Sequence, residues 1–220
     1  TQRRIAMIKT ILFDVDGTII DTEYVMTHSL QKTLREELEK EIPIKELHYI
    51  LGIPGREAIK KFVNTEEEEE TLLSKWGENV LLLADNAQVF PHIEETLQTL
   101  HVKGIQLGLV TSKTKEEMKN EFDRFNLNQY FDIQITASDT KLHKPFPDPI
   151  QKAIDELDIK KEETIYIGDS LYDMQSAKSC GVTFGLAKWG AKNIESFQSV
   201  DIIIDSPQEI LDLLENRQRA

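Results

Sequence analysis

The stretch TILFDVDGTIID, residues 10–21, decides how the chain is read. Its apolar run, Ile11-Leu12-Phe13, ends abruptly in Asp14. A second acid, Asp16, follows two positions later, ahead of Gly17-Thr18. A short apolar run closed by turn residues reads as a buried strand. A buried strand that ends in two carboxylates has to accommodate their repulsion. One resolution is a plain turn on Asp16-Gly17. The other is a cation, beside which two close carboxylates stay ionised. A hard divalent ion such as Mg2+ prefers such oxygens.

Outward from this run, short apolar segments alternate with helical patterns. Candidate strands are Ile8–Phe13, Ile105–Val110, Phe131–Ile135, Thr164–Ile167, Val182–Leu186 and Asp201–Ile204. Helical stripes lie between them: Ile93, Leu97 and Leu100; Met118, Phe122 and Phe125 behind a Thr114/Glu117 capping box; Ile150, Ile154 and Leu157. Ser206-Pro207-Gln208-Glu209 has the pattern of a capped last helix. The alternation predicts right-handed β-α-β units, hence an α/β fold with a mostly parallel, Rossmann-like sheet flanked by helices. Residues 18–87 carry no strand pattern. They show two helical stripes instead, Met26-Leu30-Leu34-Leu38 and Leu72-Trp76-Val80-Leu83. The expected organisation is a core of residues 1–17 and 88–220 with an inserted α-helical cap domain, 18–87. The acidic run Glu66–Glu70 after Asn64-Thr65 reads as the solvated first turn of a helix.

In open parallel sheets ligands bind beyond the carboxyl ends of the strands. Three further stretches fall at such ends. GLVTSK closes a strand on Thr111-Ser112, HKPFPDP places Lys144 in a loop before Pro145, and IYIGDSLYDM closes a strand on Gly168-Asp169, with Asp173 four residues on. A hydroxyl and main-chain N–H groups can hold a phosphate, a lysine can neutralise it, Asp169 can complete a metal site, and Asp173 can orient the lysine or a metal-bound water. Together they favour the cation over the plain turn.

These motifs, in this order and over nearly the whole length, resemble those of the haloacid dehalogenase-like hydrolases: DVDGT, TS after a strand, KP, and GDSLYD. The insertion after the first motif is similar to the helical cap of the phosphoglycolate phosphatase and β-phosphoglucomutase branch. The resemblance implies a Mg2+-dependent phosphatase acting on a small phosphorylated metabolite. In it Asp14 is the nucleophile that forms an aspartyl-phosphate, and Asp16 is the proton donor and acceptor. Lys144 and Mg2+ offset charge, Thr111 and Ser112 hold phosphoryl oxygens, and Asp173 lies behind them. Asp14, Asp169 and the Asp16 carbonyl are the implied metal ligands. Dehalogenases of the superfamily lack the second acid, so Asp16 points to phosphoryl transfer. In the cap, LGIPGREAI puts Gly52 and Arg56 where capped relatives place a specificity loop. His92 stands where many relatives have glycine and reads as structural. The same motifs also serve phosphosugar mutases, and a non-catalytic phosphate-binding module is the reading from a different class.

The totals narrow the setting. With Lys+Arg 26 against Asp+Glu 39, the net charge of -13 argues against nucleic acid and anionic membranes as partners. No apolar run approaches the roughly 20 residues of a membrane span, and TQRRIA leads into no signal-peptide pattern. Met7 is the expected native start. The single cysteine, Cys180, excludes an internal disulfide and fits a reducing, cytoplasmic compartment. No Walker loop or GxGxxG is present, so no nucleotide cofactor is expected. His28, His48, His101 and His143 lack metal-ligand spacing. Trp76 is expected in the cap core and Trp189 in a loop contact. Oligomeric state leaves no mark in the sequence.

Overall fold

The structure, a computed structural model, describes residues 7–215. The expectation that residues 1–6 are an extension lies outside the described residues. Six strands form one parallel sheet: β1 (Thr10–Phe13), β4 (Gln106–Val110), β5 (Ile133–Ile135), β6 (Thr164–Gly168), β7 (Thr183–Ala187) and β8 (Ile202–Ile204). Their spatial order is β5-β4-β1-β6-β7-β8. All six match an apolar run of the sequence, five of them starting one or two residues later and β6 and β7 ending one residue further on.

The runs are continuous because both sheet faces are covered. Along β1, Ile11 and Phe13 join one apolar cluster and Leu12 the other. The first face is packed by α4 (Ile93–Val102) and α5 (Lys115–Glu121), through Ile93, Leu97, Leu100 and Met118. The second is packed by α6 (Asp148–Leu157) and α7 (Leu171–Cys180), through Ile150, Ile154, Met174 and Cys180. The Thr114/Glu117 capping box forms at the start of α5. The helix expected from Ser206 is a correction. Pro207–Leu211 is a 3-10 turn that passes into the short α8 (Asp212–Glu215), and Ser206 makes no side-chain cap. Glu209 turns back to accept the Asp205 N–H at 3.1 Å.

Between β1 and β4 the chain leaves and returns through a two-stranded antiparallel ribbon, β2 (Ile20–Asp21) with β3 (Gln88–Val89). The ribbon encloses an all-helical unit of α1 (Glu23–Leu38), α2 (Gly55–Ile59) and α3 (Glu66–Leu82). This unit has its own apolar cluster, with Leu30 and Leu34 of α1 against Leu72, Trp76 and Val80 of α3. Two buried hydrogen bonds fix the register of these helices. Trp76 Nε1–H donates to Ser29 Oγ at 2.9 Å, and Asn79 Nδ2–H to Thr33 Oγ1 at 2.8 Å. Thr65 caps α3 by accepting the Glu68 N–H. Among the described residues no helix is long and apolar enough to cross a membrane.

The central position of β1 makes Phe13 a test of the architecture. Phe13→Ala should cost about 3–5 kcal/mol of unfolding free energy in a urea titration. A loss below about 1 kcal/mol would contradict the packing around β1.

Candidate active site

The sheet register brings the first polar residues of three strands to one edge. Phe13 pairs with Leu109 on one side and Ile167 on the other, so Asp14, Thr111 and Asp169 leave the sheet within one residue of each other. β1 lies between β4 and β6, and the chain fills first one side and then the other. This is a topological switch point, where open α/β sheets bind ligands. The Asp14 N–H still donates into the sheet, to the Ile167 carbonyl at 2.9 Å, so its side chain projects from a fixed backbone.

Lys144, from the loop before α6, reaches back to this edge. Its Nζ lies 2.8 Å from Asp14 Oδ1 and 2.9 Å from Asp173 Oδ1. All three groups are buried, with exposures of 4%, 7% and 1%. Asp173 sits in the first turn of α7, in a reciprocal capping box with Ser170. Its Oδ1 accepts from Tyr166 OH at 2.8 Å, and its Oδ2 from Ser170 Oγ at 2.9 Å and from the Asp169 and Ser170 N–H groups at 3.2 Å. Burial alone would raise the Asp173 carboxyl, but Lys144 and these donors outweigh it and hold the group below the usual carboxylate range. Asp14 shows the opposite balance. Burial, then the charge of Asp173, push it up to about 7 against the pull of Lys144. Asp169 is raised well above the usual range by burial and by Asp14. Burial lowers Lys144, yet its two carboxylates prevail and keep it protonated.

Asp14, Asp169 and Asp173 each present an oxygen within 4.8 Å of the others. The oxygens of Asp173 are already taken by Lys144, Tyr166 and the α7 cap, so Asp14 and Asp169 remain as donors. Two buried carboxylates whose proximity and burial disfavour ionisation form a hard oxygen pair suited to a divalent cation, which would remove that penalty. Gly17 permits this approach. It has φ +81°, and a Cβ there would stand 2.1 Å from Asp169 Oδ2.

The edge opens into a cavity of about 120 Å³ between the sheet and the helical unit. Asp14, Asp16, Thr111, Ser112, Lys144, Asp169 and Gly52 all line it. Asp173 lies behind the wall. Gly52 brings its loop onto the start of α7, where a Cβ would meet that of Ser170 at 2.5 Å, and φ is +84°. Arg56 is a correction. It does not line the cavity, and its guanidinium is held by Glu69 and Glu70 on α3. The acidic run therefore captures the nearest arginine as well as facing solvent. His92 occupies the left-handed region at φ 68° ahead of α4, a conformation that suits glycine.

The sequence reading gave no role to Lys113, one residue past Thr111-Ser112. It is buried, with Nζ 2.7 Å from Glu121 Oε1 and 3.2 Å from Asp16 Oδ2. Asp16 Oδ1 accepts from Thr22 OH at 3.1 Å, so its carboxylate is held from the strand end and from the entry to α1 together. The signal was a lysine adjoining a strand-end motif in an acidic chain. Thr18, inside the first motif but given no role, donates its hydroxyl to Asp169 Oδ1 at 3.2 Å, and Trp189, expected in a loop contact, donates to the Thr18 carbonyl at 2.9 Å.

A family model described as haloacid dehalogenase-like hydrolase matches residues 11–187. A pyrophosphatase PpaX of Halalkalibacterium halodurans is 30% identical over 210 residues, covering 94% of this chain and 97% of that protein. A phosphoglycolate phosphatase of Aquifex aeolicus is 32% identical over 212 residues, covering 94% and 97%. The structure of CbbY from Rhodobacter sphaeroides in complex with phosphate superposes with a TM-score of 0.80 at 24% identity, over 95% of this chain and 100% of that one. That likeness shows the fold.

Removing Asp173 leaves Lys144 with one carboxylate in a buried site and strips the cap from α7. Asp173→Ala should therefore cost about 3–5 kcal/mol in a denaturant titration. A cost under about 1 kcal/mol would mean that Lys144 is held by something other than this pair.

Proposed function

Because this chain belongs to the haloacid dehalogenase-like hydrolases, we propose that it is a phosphatase that transfers the phosphoryl group of a small phosphorylated metabolite to Asp14 and then to water. The observation that carries this reading is the convergence of Asp14, Asp169 and Lys144 beside a cavity at the carboxyl end of β1. The names of its relatives suggest pyrophosphate or phosphoglycolate as substrates.

In the first step an oxygen of Asp14 forms a bond to phosphorus while the bond from phosphorus to the leaving oxygen breaks. Asp16, protonated at that moment, gives its proton to the leaving oxygen. In the second step Asp16, now a carboxylate, takes a proton from water, whose oxygen attacks phosphorus as the Asp14–phosphorus linkage breaks. Lys144 holds Asp14 Oδ1 and keeps positive charge against the incoming phosphoryl oxygens. Thr111 accepts the Lys113 N–H at its hydroxyl oxygen, which leaves the hydroxyl proton for a phosphoryl oxygen. Ser112 lines the cavity beside it. Asp14, Asp169 and the Asp16 carbonyl would hold Mg2+, which supplies further positive charge against the phosphoryl group.

Asp14→Asn should lower turnover by at least about 10³-fold with the fold intact, since an amide is a poor nucleophile. Asp16→Asn should retain binding and lose about 10²–10⁴-fold in kcat. Steady-state phosphate release with pyrophosphate, phosphoglycolate and an aryl phosphate checks both, and near-normal turnover by Asp14→Asn would refute the covalent route.

Chelation should abolish activity and added Mg2+ restore it, whereas Ca2+ should support it poorly, being larger and more loosely coordinated. Full activity in metal-stripped protein with excess chelator would remove the metal from the proposal.

A further inference from the structure

Two lysines line the active-site cavity, Lys144 and Lys192, against the acids Asp14, Asp16, Asp21, Glu23 and Asp169. Lys144 is buried between two carboxylates and faces the reacting end. Lys113 is likewise buried between Asp16 and Glu121, and it does not line this cavity. Lys192 differs. It stands in the loop after β7, and its Nζ lies 2.7 Å from Glu23 Oε2 at the first residue of α1. Both side chains are partly exposed, at 49% and 37%. Exposed ion pairs of this kind contribute little to stability, so giving one up costs little. Glu23 also has a second neighbour, His48 Nε2, 3.7 Å from its Oε1.

From this arrangement we infer that Lys192 is a specificity-determining residue that binds a second anionic group on the leaving part of the substrate, displacing Glu23. The inference rests on the phosphatase reading above and names the substrate class: a phosphate ester or anhydride whose leaving group carries a carboxylate or another phosphate. Such a substrate brings a second anion into a cavity whose charged lining is mostly acidic. Its reacting phosphate has Lys144, and Lys192 is the exchangeable cation that remains in the wall. Arg56, bound to Glu69 and Glu70 outside the cavity, does not provide it.

The test is calorimetric binding to the full chain in the presence of Mg2+, with three inert probes. Methylenediphosphonate and phosphonoacetate carry a second anion, and methylphosphonate does not. Lys192→Gln should weaken the two dianionic probes about tenfold relative to methylphosphonate, the loss expected for one charge-assisted contact. Glu23→Gln, which removes the competitor, should tighten them. Whichever probe is affected more strongly identifies the distal group as phosphate or carboxylate. Equal shifts for all three probes in Lys192→Gln, or none, would overturn the assignment. Weaker dianion binding in Glu23→Gln would overturn the displacement of Glu23. The ratio of kcat/KM for pyrophosphate or phosphoglycolate to that for phenyl phosphate should fall in Lys192→Gln in parallel. A wild-type protein that binds the probes through Lys192 yet releases no phosphate from any of these substrates would refute the phosphatase reading and leave the anion site standing.

Discussion

One buried ammonium organises the active-site edge. Lys144 is shared between Asp14, at the end of β1, and Asp173, in the first turn of α7. It thereby ties a loop, a strand end and a helix start to a single point. Burying three charges is costly unless each is paired and hydrogen-bonded. Here Asp173 meets that condition through Tyr166, Ser170 and two main-chain N–H groups, while Asp14 has the Lys144 ammonium on its Oδ1. The unequal sharing separates the two carboxyls. Asp173 is held in its charged form as a fixed anchor, and Asp14 is left responsive to whatever enters the cavity.

The helical unit completes the site from the other side. It contributes Glu23, Met26, Ile50, Leu51, Gly52 and Ile53 to the cavity wall, and the core contributes Asp14, Asp16, Asp169 and Lys144. Polar and close contacts cross the divide. Gly52 lies on Ser170, Tyr172 OH donates to Glu57, and Lys192 pairs with Glu23. The two-stranded ribbon holds the outgoing and returning chains together, so the chain enters and leaves the unit at one place. Asp16 sits close to that attachment, with Thr22 and Lys113 on its two oxygens. The acid proposed for proton transfer is thus held partly by the segment that carries the helical unit.

The parallel sheet was legible because each buried strand is a continuous apolar run, and its edge was legible because each run stops on a residue with chemistry. Asp14, Thr111 and Asp169 required only that the strands be neighbours in register. The ribbon escaped notice because two residues per strand carry no periodicity. Pro207–Leu211 has the composition of a capped helix start, but Glu209 spends its carboxylate on Asp205 and the turn winds tighter. Arg56 was misplaced because a cap-loop position fixes where the backbone lies and leaves open which acid a long side chain reaches. Lys113 and Lys192 depend on tertiary partners, Glu121 and Glu23, that no local pattern joins to them.

The placement of β1 in the middle of the sheet also sets the order in which the molecule can be built. Its residues leave the ribosome before those of either neighbour, Gln106–Leu109 on one side and Thr164–Ile167 on the other. At about 5–20 residues per second, the 96 residues separating Thr10 from Gln106 take on the order of 5–20 s to synthesise. Throughout that interval Ile11-Leu12-Phe13 is an apolar strand with neither neighbour available. The helices of residues 23–82 share an apolar cluster of their own and lie wholly within the segment made in that interval. The nascent chain therefore carries an unpaired central strand, an apolar segment open to misassociation until β6 is complete.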